Sequence, residues 1–345
     1  MGDAISSFLF QPPPPSKLKE SKIIWLNTSR GTRIPAFYIE AARNPTSGAV
    51  DAHSRSHKDL HSIRKRNVPG GSGGGGVDGY GENAADGGAD SPDNRRGLTL
   101  LYSHANAEDL GNIYPWCKFL SKSLGVNVLA YDYTGYGLAS DQGDPSEEHC
   151  YSDIDAAYSY LRDTLEVPAR NVVLYGRSLG SGPSSYLASR TADDGAPLGG
   201  VILHAPFQSV YRVVLESGCT LPGDKFPNID FLPYVRSPVM FIHGTKDQIV
   251  PFHHSEQLLS VVQPPYRATP LLIEGMGHNN IHPMVRPLFV ERISEFLKEN
   301  VKKTGKSSKR QQQQQHTDSI DKLLTRGYVS SPGRRSYSHA KRLDQ

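Results

Sequence analysis

The chain has 345 residues, of which 37% are hydrophobic and 21% are charged, a length that suits one large domain or two ordinary ones. Its net charge of +3 is uneven: residues 301–345 hold 11 Lys and Arg against three Asp, so the other residues are net acidic. Positive charge confined to a tail argues against a nucleic-acid-binding domain. No apolar run reaches the roughly 18 residues of a membrane-spanning helix. Three scattered cysteines (Cys117, Cys150 and Cys219) argue against a disulfide framework or a zinc site.

The N-terminal part of the sequence predicts a flexible segment, two strands and a disordered insertion. Residues 1–20 have neither the basic start nor the long apolar stretch of a secretory signal, and we expect them to be flexible. The runs 22–26 and 34–40 are typical of strands. Residues 41–97 contain 12 of the 33 glycines and almost no apolar runs. Burial of their apolar surface therefore cannot offset the conformational entropy that they would lose on ordering. Such an insertion is tolerated between strands because loop-closure entropy rises slowly with length.

From residue 97 onwards, strand-length apolar runs alternate with helix-length stretches. This alternation predicts an α/β fold with a parallel sheet that helices cover on both faces. Residues 301–345 have no apolar period and predict a disordered basic tail. The folded unit is therefore a single domain over residues 21–300 that contains the insertion. Its further predicted strands are 98–102, 127–131, 172–175, 200–203, 239–242 and 270–273, and its predicted helices are 112–124, 146–165, 178–190, 253–262 and 283–300.

The pattern G-x-S-x-G occurs twice, at residues 70–74 and 176–180. The first copy lies in a polar glycine tract with no strand before it. The second follows the strand 172–175 and precedes a helix, which is the context of a nucleophile elbow. There the oxygen of Ser178 would project at the carboxyl end of the strand, beside the free N–H groups of a helix start. The alternative is a serine that only caps the helix.

A nucleophilic serine needs a histidine base and an acid that orients the base. In this architecture the acid and then the histidine follow the serine, each at the end of a strand. Asp247 lies in the loop just after the strand 239–242, and His278 follows the strand 270–273 after the four residues 274–277. The sequence therefore predicts Asp247 as the acid and His278 as the base.

Other acids and histidines also follow Ser178. Four aspartates do so, but none of them follows a predicted strand as closely as Asp247 does. His282 is the near alternative to His278. Four further histidines near strand ends or helix starts are interpreted as structural or surface residues. These aspartates are Asp193, Asp194, Asp224 and Asp230, and the histidines are His204, His243, His253 and His254.

The negative oxygen that forms during acyl transfer needs two backbone donors, an oxyanion hole. One is expected from Leu179, the residue after the nucleophile, and the second from the loop after an earlier strand. The strand 98–102 leads into such a loop. We place the second donor at Asn106, with Ala105 as the alternative, since only the backbone N–H matters.

Six motifs are SHANAEDLG (103–111), YDYTGYG (131–137), SDIDAA (152–157), GRSLG (176–180), HGTKD (243–247) and GHN (277–279). Together they resemble the α/β-hydrolase superfamily, and more closely its alpha/beta-hydrolase domain-containing protein 17 group. Members of that group are serine hydrolases that remove palmitate from cysteines of membrane-associated proteins. The resemblance implies an α/β-hydrolase fold with an eight-stranded, mostly parallel sheet. It also implies a Ser178–Asp247–His278 triad and protein S-acyl thioesterase activity.

Three departures from the group's pattern limit what carries over. Ala105 replaces the glycine that usually follows the first-loop histidine, so the oxyanion loop must accommodate a Cβ. Asn280 stands where the group commonly has an acid. The group attaches to membranes through a palmitoylated N-terminal cysteine cluster, whereas no cysteine precedes Cys117 here. That mode of attachment is therefore not expected.

Two other features offer a route to peripheral membrane contact. The start MGDAIS fits the loose N-myristoylation pattern, although Asp3 beside the acceptor Gly2 disfavours the modification. One myristoyl chain binds weakly, and the basic tail would add about 1 kcal/mol per charge near an anionic surface. A solvated tail is the simpler interpretation. We expect a cytoplasmic protein, with peripheral contact at the cytoplasmic face of a membrane and no nucleic-acid partner.

The sequence thus predicts a metal-free, cofactor-free serine hydrolase that cleaves acyl thioesters. Its substrate would be an S-acylated protein or an acyl lipid. Because the same constellation suits ester carbonyls, a lipid carboxylesterase or lysophospholipase is the alternative among enzymes. A non-catalytic scaffold on a hydrolase fold is the alternative of another class, but a scaffold has no need of Ser178, Asp247 and His278 together.

Overall fold

A computed structural model describes residues 9–42, 97–214, 222–279 and 285–301. An eight-stranded sheet runs through these ranges, and helices cover both of its faces. The predicted insertion and basic tail lie outside the described residues except at their ends, so both stay predictions.

The sheet is parallel except at one end. Its strands are β1 Ile24–Asn27, β2 Arg33–Ile39, β3 Thr99–Ser103, β4 Asn127–Tyr131, β5 Val172–Arg177, β6 Gly200–His204, β7 Val239–Gly244 and β8 Leu271–Ile273. They lie in the order β1-β2-β4-β3-β5-β6-β7-β8. β2 is antiparallel to β1 and β4, and every other pair of neighbours is parallel. The carboxyl ends of β3 to β8 therefore share one edge, where ligands bind in open α/β sheets.

Seven α-helices connect the strands within the described ranges. They are α1 Leu110–Leu124, α2 Glu147–Ser159, α3 Ser181–Asp193, α4 Val210–Val214, α5 Asn228–Phe231, α6 His253–Val261 and α7 Arg286–Phe296. Asp109 and Ser146 cap α1 and α2 by accepting hydrogen bonds from backbone N–H groups three residues on. Each cap typically stabilises a helix by about 1 kcal/mol. Two glutamates follow Ser146 in the first turn of α2, where the helix dipole favours negative charge.

Two hydrophobic layers hold the helices against the sheet. Helices α1 and α7 pack on one face, and α2, α3 and α6 pack on the other. Every residue of β3, β5, β6 and β7 is buried, which explains why these strands are continuous apolar runs and not alternating ones. Each fully buried Leu or Phe contributes about 1.5–3 kcal/mol to this packing. In the described part of the chain, no helix is both long and apolar enough to cross a membrane.

All eight strands lie within two residues of their predicted bounds, and the predicted fold class is confirmed. The helices differ more. The helix predicted to begin at residue 178 begins three residues later, because Ser178–Gly180 forms a 3-10 turn before α3. The predicted helix 146–165 ends as a π turn over Tyr160–Thr164. The short helices α4 and α5, in the connection between β6 and β7, were not predicted at all.

Candidate active site

The predicted nucleophile lies on a tight turn at the end of β5. Ser178 has a φ of 50°, in the left-handed region, which costs a non-glycine residue about 1–3 kcal/mol. A Cβ on Gly176 would collide with the Gly180 carbonyl, and one on Gly180 would collide with the Ser103 carbonyl. Only glycines allow this close approach, so the strand–turn–helix pattern sets the position of the serine hydroxyl at the carboxyl edge of the sheet.

The acid and the base come from the next strands along the same edge. His278 follows β8, and its Nε2 lies 2.9 Å from Ser178 Oγ. Its Nδ1 lies 2.7 Å from Oδ2 of Asp247, which follows β7. All three residues are less than 10% exposed. The serine hydroxyl can therefore donate to Nε2 while Nδ1–H donates to the carboxylate, as nucleophilic catalysis requires. The structure brings together the three residues that the sequence predicts.

The carboxylate of Asp247 is held by backbone and side-chain donors. Its Oδ1 accepts hydrogen bonds from the N–H groups of Ile249 and Val250, both at 2.9 Å. Its Oδ2 also lies 3.3 Å from His243 Nε2. Burial raises the pKa of Asp247, but hydrogen bonds from His243, His278 and the Val250 N–H outweigh burial and hold the pKa below its usual range. An ionised acid here stabilises the imidazolium that forms when His278 takes a proton.

His243 is the functional neighbour that the sequence analysis treated as structural. It is fully buried, with Nδ1 2.6 Å from Ser255 Oγ and Nε2 2.9 Å from the Val250 carbonyl. The Nε2–H group therefore lies within reach of both the Val250 carbonyl and the Asp247 carboxylate, which places His243 to support the acid. Its position as the last-but-one residue of β7, four residues before Asp247, was the signal available in the sequence.

Within the described ranges, the other three histidines interpreted as structural or surface residues (His204, His253 and His254) make their contacts away from the triad side chains. His204 Nδ1 lies 3.1 Å from the Tyr175 hydroxyl, and burial lowers its pKa well below the usual range. His254 contacts Gln208, and burial lowers its pKa to about 4. His253 stacks on His254. Their interpretation as structural residues agrees with these contacts.

The remaining alternatives lie elsewhere or outside the described residues. None of the four other aspartates hydrogen-bonds His278 among the described contacts. His282, Asn280, Cys219, Gly2 and the first G-x-S-x-G copy lie outside the described residues. Of the aspartates, Asp193 lies at the end of α3 and Asp194 caps it, Asp224 accepts from the Tyr211 N–H, and Asp230 lies in α5.

The loop after β3 contains both candidates for the second oxyanion donor. The Ala105 N–H donates to Glu108 Oε2 at 2.9 Å, so this alternative donor is already engaged. Among the described residues, none accepts from the Asn106 N–H. Asn106 and Leu179 both line the cavity beside the nucleophile, which favours this pair as the donors. The loop accommodates a Cβ at 105 because its left-handed residue is Ala107, with a φ of 55°.

An N-terminal strap, residues 9–16, holds the side chain of Asn106. The carbonyl of Leu9 accepts from Asn106 Nδ2 at 2.7 Å, and the Gln11 N–H donates to Asn106 Oδ1 at 2.9 Å. The Tyr136 hydroxyl donates to the same oxygen at 2.7 Å. The side-chain amide of the predicted oxyanion residue is thus fixed by three hydrogen bonds, none of which the sequence analysis foresaw.

Packing and further hydrogen bonds hold the strap itself. Phe10 is buried and contacts Phe226 edge to face, with ring centroids 6.1 Å apart. The Ser16 N–H donates to Asp109 Oδ2, and Ser16 Oγ accepts from Asn112 Nδ2 at 2.6 Å. This part of the segment predicted to be flexible therefore makes defined contacts. Its four consecutive prolines, which restrict the unfolded chain, were the available signal.

A cavity of about 300 Å³, here called the apolar cavity, opens beside Ser178 and His278. Leu9 of the strap forms part of its wall, and helix α4 supplies three valines. Such a lining suits a hydrocarbon chain better than a polar group. Its remaining apolar walls come from Phe207, Ile249 and Val250. Among the described residues, no group of three or more His, Cys, Asp or Glu side chains is placed to hold a metal ion.

Solved structures with similar folds include esterases and peptidases. The esterase domain of a Rhodothermus marinus protein matches with a TM-score of 0.51 and 17% identity, covering 81% of this chain and 99% of that domain. An esterase of Pyrococcus furiosus matches with a TM-score of 0.55 and 14% identity, covering 84% of this chain and 99% of the esterase. At this level of identity the similarity establishes the α/β-hydrolase fold.

Sequence relatives and a family model are more specific. Mouse alpha/beta hydrolase domain-containing protein 17C is 40% identical over 200 residues, 58% of this chain. Human alpha/beta hydrolase domain-containing protein 17B is 38% identical over 204 residues, 59% of this chain and 67% of its own length. The chain spans 59% of the length of the mouse relative. The model of the FSH1 serine hydrolase family matches residues 103–278, about half of the chain, from the start of the oxyanion loop to the histidine of the triad. The chain therefore belongs to the FSH1 serine hydrolase family.

Proposed function

We propose that this serine hydrolase is a thioesterase that removes long acyl chains from cysteine side chains, as a palmitoyl-protein thioesterase does. The observation that carries the proposal is the apolar cavity beside a serine that is hydrogen-bonded to its base. The thioester preference draws its support from the similarity to the alpha/beta-hydrolase domain-containing protein 17 group. The acyl chain would occupy the cavity and place its carbonyl carbon next to Ser178 Oγ.

The first half of the reaction forms an acyl-enzyme. Nε2 of His278 takes the proton of Ser178 Oγ as the oxygen attacks the thioester carbonyl. Asp247 keeps the imidazole in the correct tautomer and stabilises the imidazolium. The N–H groups of Leu179 and Asn106 hold the negative carbonyl oxygen, and each donor lowers the barrier by roughly 3–4 kcal/mol.

The acyl-enzyme forms when the carbon–sulfur bond breaks and the proton on His278 goes to the departing thiolate. The second half then regenerates the enzyme. Water then enters, His278 takes one of its protons, and the resulting hydroxide attacks the acyl-enzyme. Collapse of the second tetrahedral intermediate returns the proton to Ser178 and releases the fatty acid. A cysteine thiol with an ordinary pKa of about 8.5 leaves readily and needs less help from the imidazolium than an alcohol does.

We further propose that the protein works in the cytoplasm, in peripheral contact with a membrane that presents its substrate. Val214 and Ile249 line the apolar cavity and are 50% and 56% exposed. Apolar side chains left in water at the entrance of an acyl-binding cavity are favourable places for contact with acyl chains. These two residues support the proposal.

A substrate panel tests the thioesterase assignment. Purified protein is given S-palmitoyl peptides and matched O-acyl esters of varied chain length, and kcat/KM is compared within each pair. We expect the thioesters to be hydrolysed faster. Hydrolysis of the esters with no attack on any thioester would reject the assignment in favour of a lipid carboxylesterase.

A serine variant tests the nucleophile. Ser178→Ala should lower kcat/KM by at least about 10⁴-fold and abolish labelling by a fluorophosphonate probe. Ser260→Ala, a change at an exposed serine of α6, is the matched control and should behave as wild type. Labelling of Ser178→Ala as strong as that of wild type would reject Ser178 as the nucleophile and leave the scaffold interpretation standing.

A further inference from the structure

A second cavity, here called the polar cavity, adjoins the apolar one. It has a volume of about 440 Å³, and it shares Asn106, Ala107 and Asn279 with the apolar cavity. Arg177 and Arg286 also line it. Arg177 immediately precedes the nucleophile, and Asn279 immediately follows the base. The polar cavity therefore lies next to the reacting atoms, and nothing in the mechanism above uses it.

Two residues in the walls of the polar cavity carry unpaired N–H donors. Among the described residues, none accepts from the buried Nε of Arg177 or the buried indole Nε1 of Trp116. Arg177 itself is only 9% exposed. Buried donors without acceptors are rare in folded proteins because each one loses its hydrogen bonds to water. Both residues line the polar cavity, so an acceptor group on a ligand there would lie close to these two donors.

The charge of the polar cavity points to an anion. Arg177 is paired with Glu108, whose second oxygen accepts from the Ala105 N–H, so this pair is internally neutral. Arg286 has no carboxylate partner in the described part of the chain, and its guanidinium lies over the ring of Phe119, 5.6 Å from the centroid. The polar cavity is left with one uncompensated positive charge.

The position of Arg286 adds to this argument. It is the first residue of α7, where the helix dipole disfavours a cation and favours an anion. Planar guanidinium groups bind carboxylates through paired N–H donors. Arg286 therefore does not stabilise the helix, and it lies beside unpaired donors. A bound ligand carboxylate would account for both features.

We propose that the polar cavity binds a carboxylate on the leaving-group side of the substrate, a few bonds from the scissile sulfur. The proposal rests on the proposed acyl transfer, with the acyl chain in the apolar cavity and the cysteine part directed to the polar one. The preferred substrates are then S-acylated cysteines at a chain terminus with a free carboxylate, or cysteines beside an acidic residue.

Matched small substrates test the proposal. S-octanoyl-N-acetylcysteine carries a free carboxylate, and its C-terminal amide is the neutral partner. S-octanoyl derivatives of the N-acetylated, C-terminally amidated dipeptides Cys-Glu and Cys-Gln form a second pair, which separates a terminal carboxylate from a side-chain one. We expect wild type to favour the acidic member of at least one pair by about tenfold or more in kcat/KM, the usual effect of a charge-assisted hydrogen bond.

Variants assign the preference to the polar cavity. Arg286→Gln should reduce it to within twofold. Arg292→Gln, on the same helix but paired with Glu295, is the matched control and should keep it. Equal rates on both members of each pair, or a preference that persists in Arg286→Gln, would overturn the proposal. A preference only for phosphate-bearing acyl lipids over neutral ones would overturn it as well.

The proposed function and the carboxylate site can fail separately. The same pairs made as O-octanoyl serine esters repeat the comparison on ester substrates. If thioesters are not hydrolysed but esters are, the thioesterase assignment fails, and the ratio within the ester pairs still decides whether the polar cavity selects a carboxylate.

Discussion

The two sides of Ser178 are held in place by different means. On one side, His278 and Asp247 come from short loops after neighbouring strands, and the carboxylate is fixed by backbone N–H groups two and three residues further on. On the other side, the hydrogen bond between Asn106 and Gln11 joins residues 95 positions apart in the chain. The first side depends on local geometry, and the second depends on a distant segment.

The buried acids of the domain also differ. Hydrogen bonds outweigh burial and hold the pKa of Asp247 below its usual range. At Asp132 and Asp153 burial dominates, and it raises the pKa of Asp132 well above its usual range and that of Asp153 to about 7. The ionised form is thus favoured at Asp247, where an imidazolium would form, and the protonated form is favoured at the other two acids.

The largest effect is expected from a substitution of the triad acid. Asp247→Asn should lower kcat/KM by about 10⁴-fold, because the amide cannot both accept from Nδ1–H and stabilise the imidazolium. Steady-state kinetics on an acyl substrate measures the change. Asp193→Asn, at the exposed end of α3, is the control and should match wild type. If Asp247→Asn kept a tenth or more of the activity, another carboxylate would have to orient His278.

The next largest effect concerns Asp153, a buried acid of α2. Asp153 accepts hydrogen bonds from the N–H and hydroxyl of Thr134 at 2.8 and 2.9 Å, yet burial raises its pKa from 3.8 to about 7. A raised folded-state pKa contributes stability that is complete below the unfolded pKa, near pH 4, and is lost as the pH rises through about 7. Asp153→Asn has no such proton to lose. Its free energy of unfolding, relative to wild type, should therefore rise by roughly 2–4 kcal/mol between pH 4 and 7.5.

Urea unfolding at several pH values in this range measures the difference for Asp153→Asn. The exposed Asp193→Asn again provides the reference and should show no trend of this kind. A difference between Asp153→Asn and wild type that stayed constant with pH would mean that Asp153 is ionised when buried. The contrast between Asp247 and Asp153 would then disappear.

The smallest effect tests the strap. Gln11→Pro removes the N–H that donates to Asn106 Oδ1, whereas Gln11→Ala keeps it. We expect kcat to fall about tenfold in Gln11→Pro, a fraction of the value of a complete oxyanion donor, and to stay near wild type in Gln11→Ala. The melting temperature of both variants checks the fold. Equal losses in both would assign the effect to the Gln11 side chain instead of the hydrogen bond.

The sheet and the triad could be predicted because their signals are local. Buried parallel strands are continuous apolar runs, and the residues that follow β5, β7 and β8 are carried to one edge by the direction of the strands. Gly176 and Gly180 indicate the tight turn around Ser178, because a Cβ at either position would collide with a backbone carbonyl. The positions of Asp247 and His278 follow from the order of the strands.

The strap, the short helices and the polar cavity could not be predicted, for a physical reason. Phe10 and Gln11 are fixed by side chains far along the chain, and no periodic pattern marks such contacts. Helices α4 and α5 are shorter than two turns, so they present no amphipathic repeat. Arg177 was visible only as the variable position of G-x-S-x-G, and its pairing with Glu108 depends on how β3 and β5 lie side by side.

The position of Leu9 in the wall of the apolar cavity has a consequence for the eight residues before it. At about 3.5 Å per residue, an extended chain lets Gly2 reach no further than roughly 25 Å from Leu9. A group attached at Gly2 would therefore stay within this distance of the apolar cavity, which Leu9 lines. Because the strap fixes Leu9, it also limits how far Gly2 can lie from Ser178.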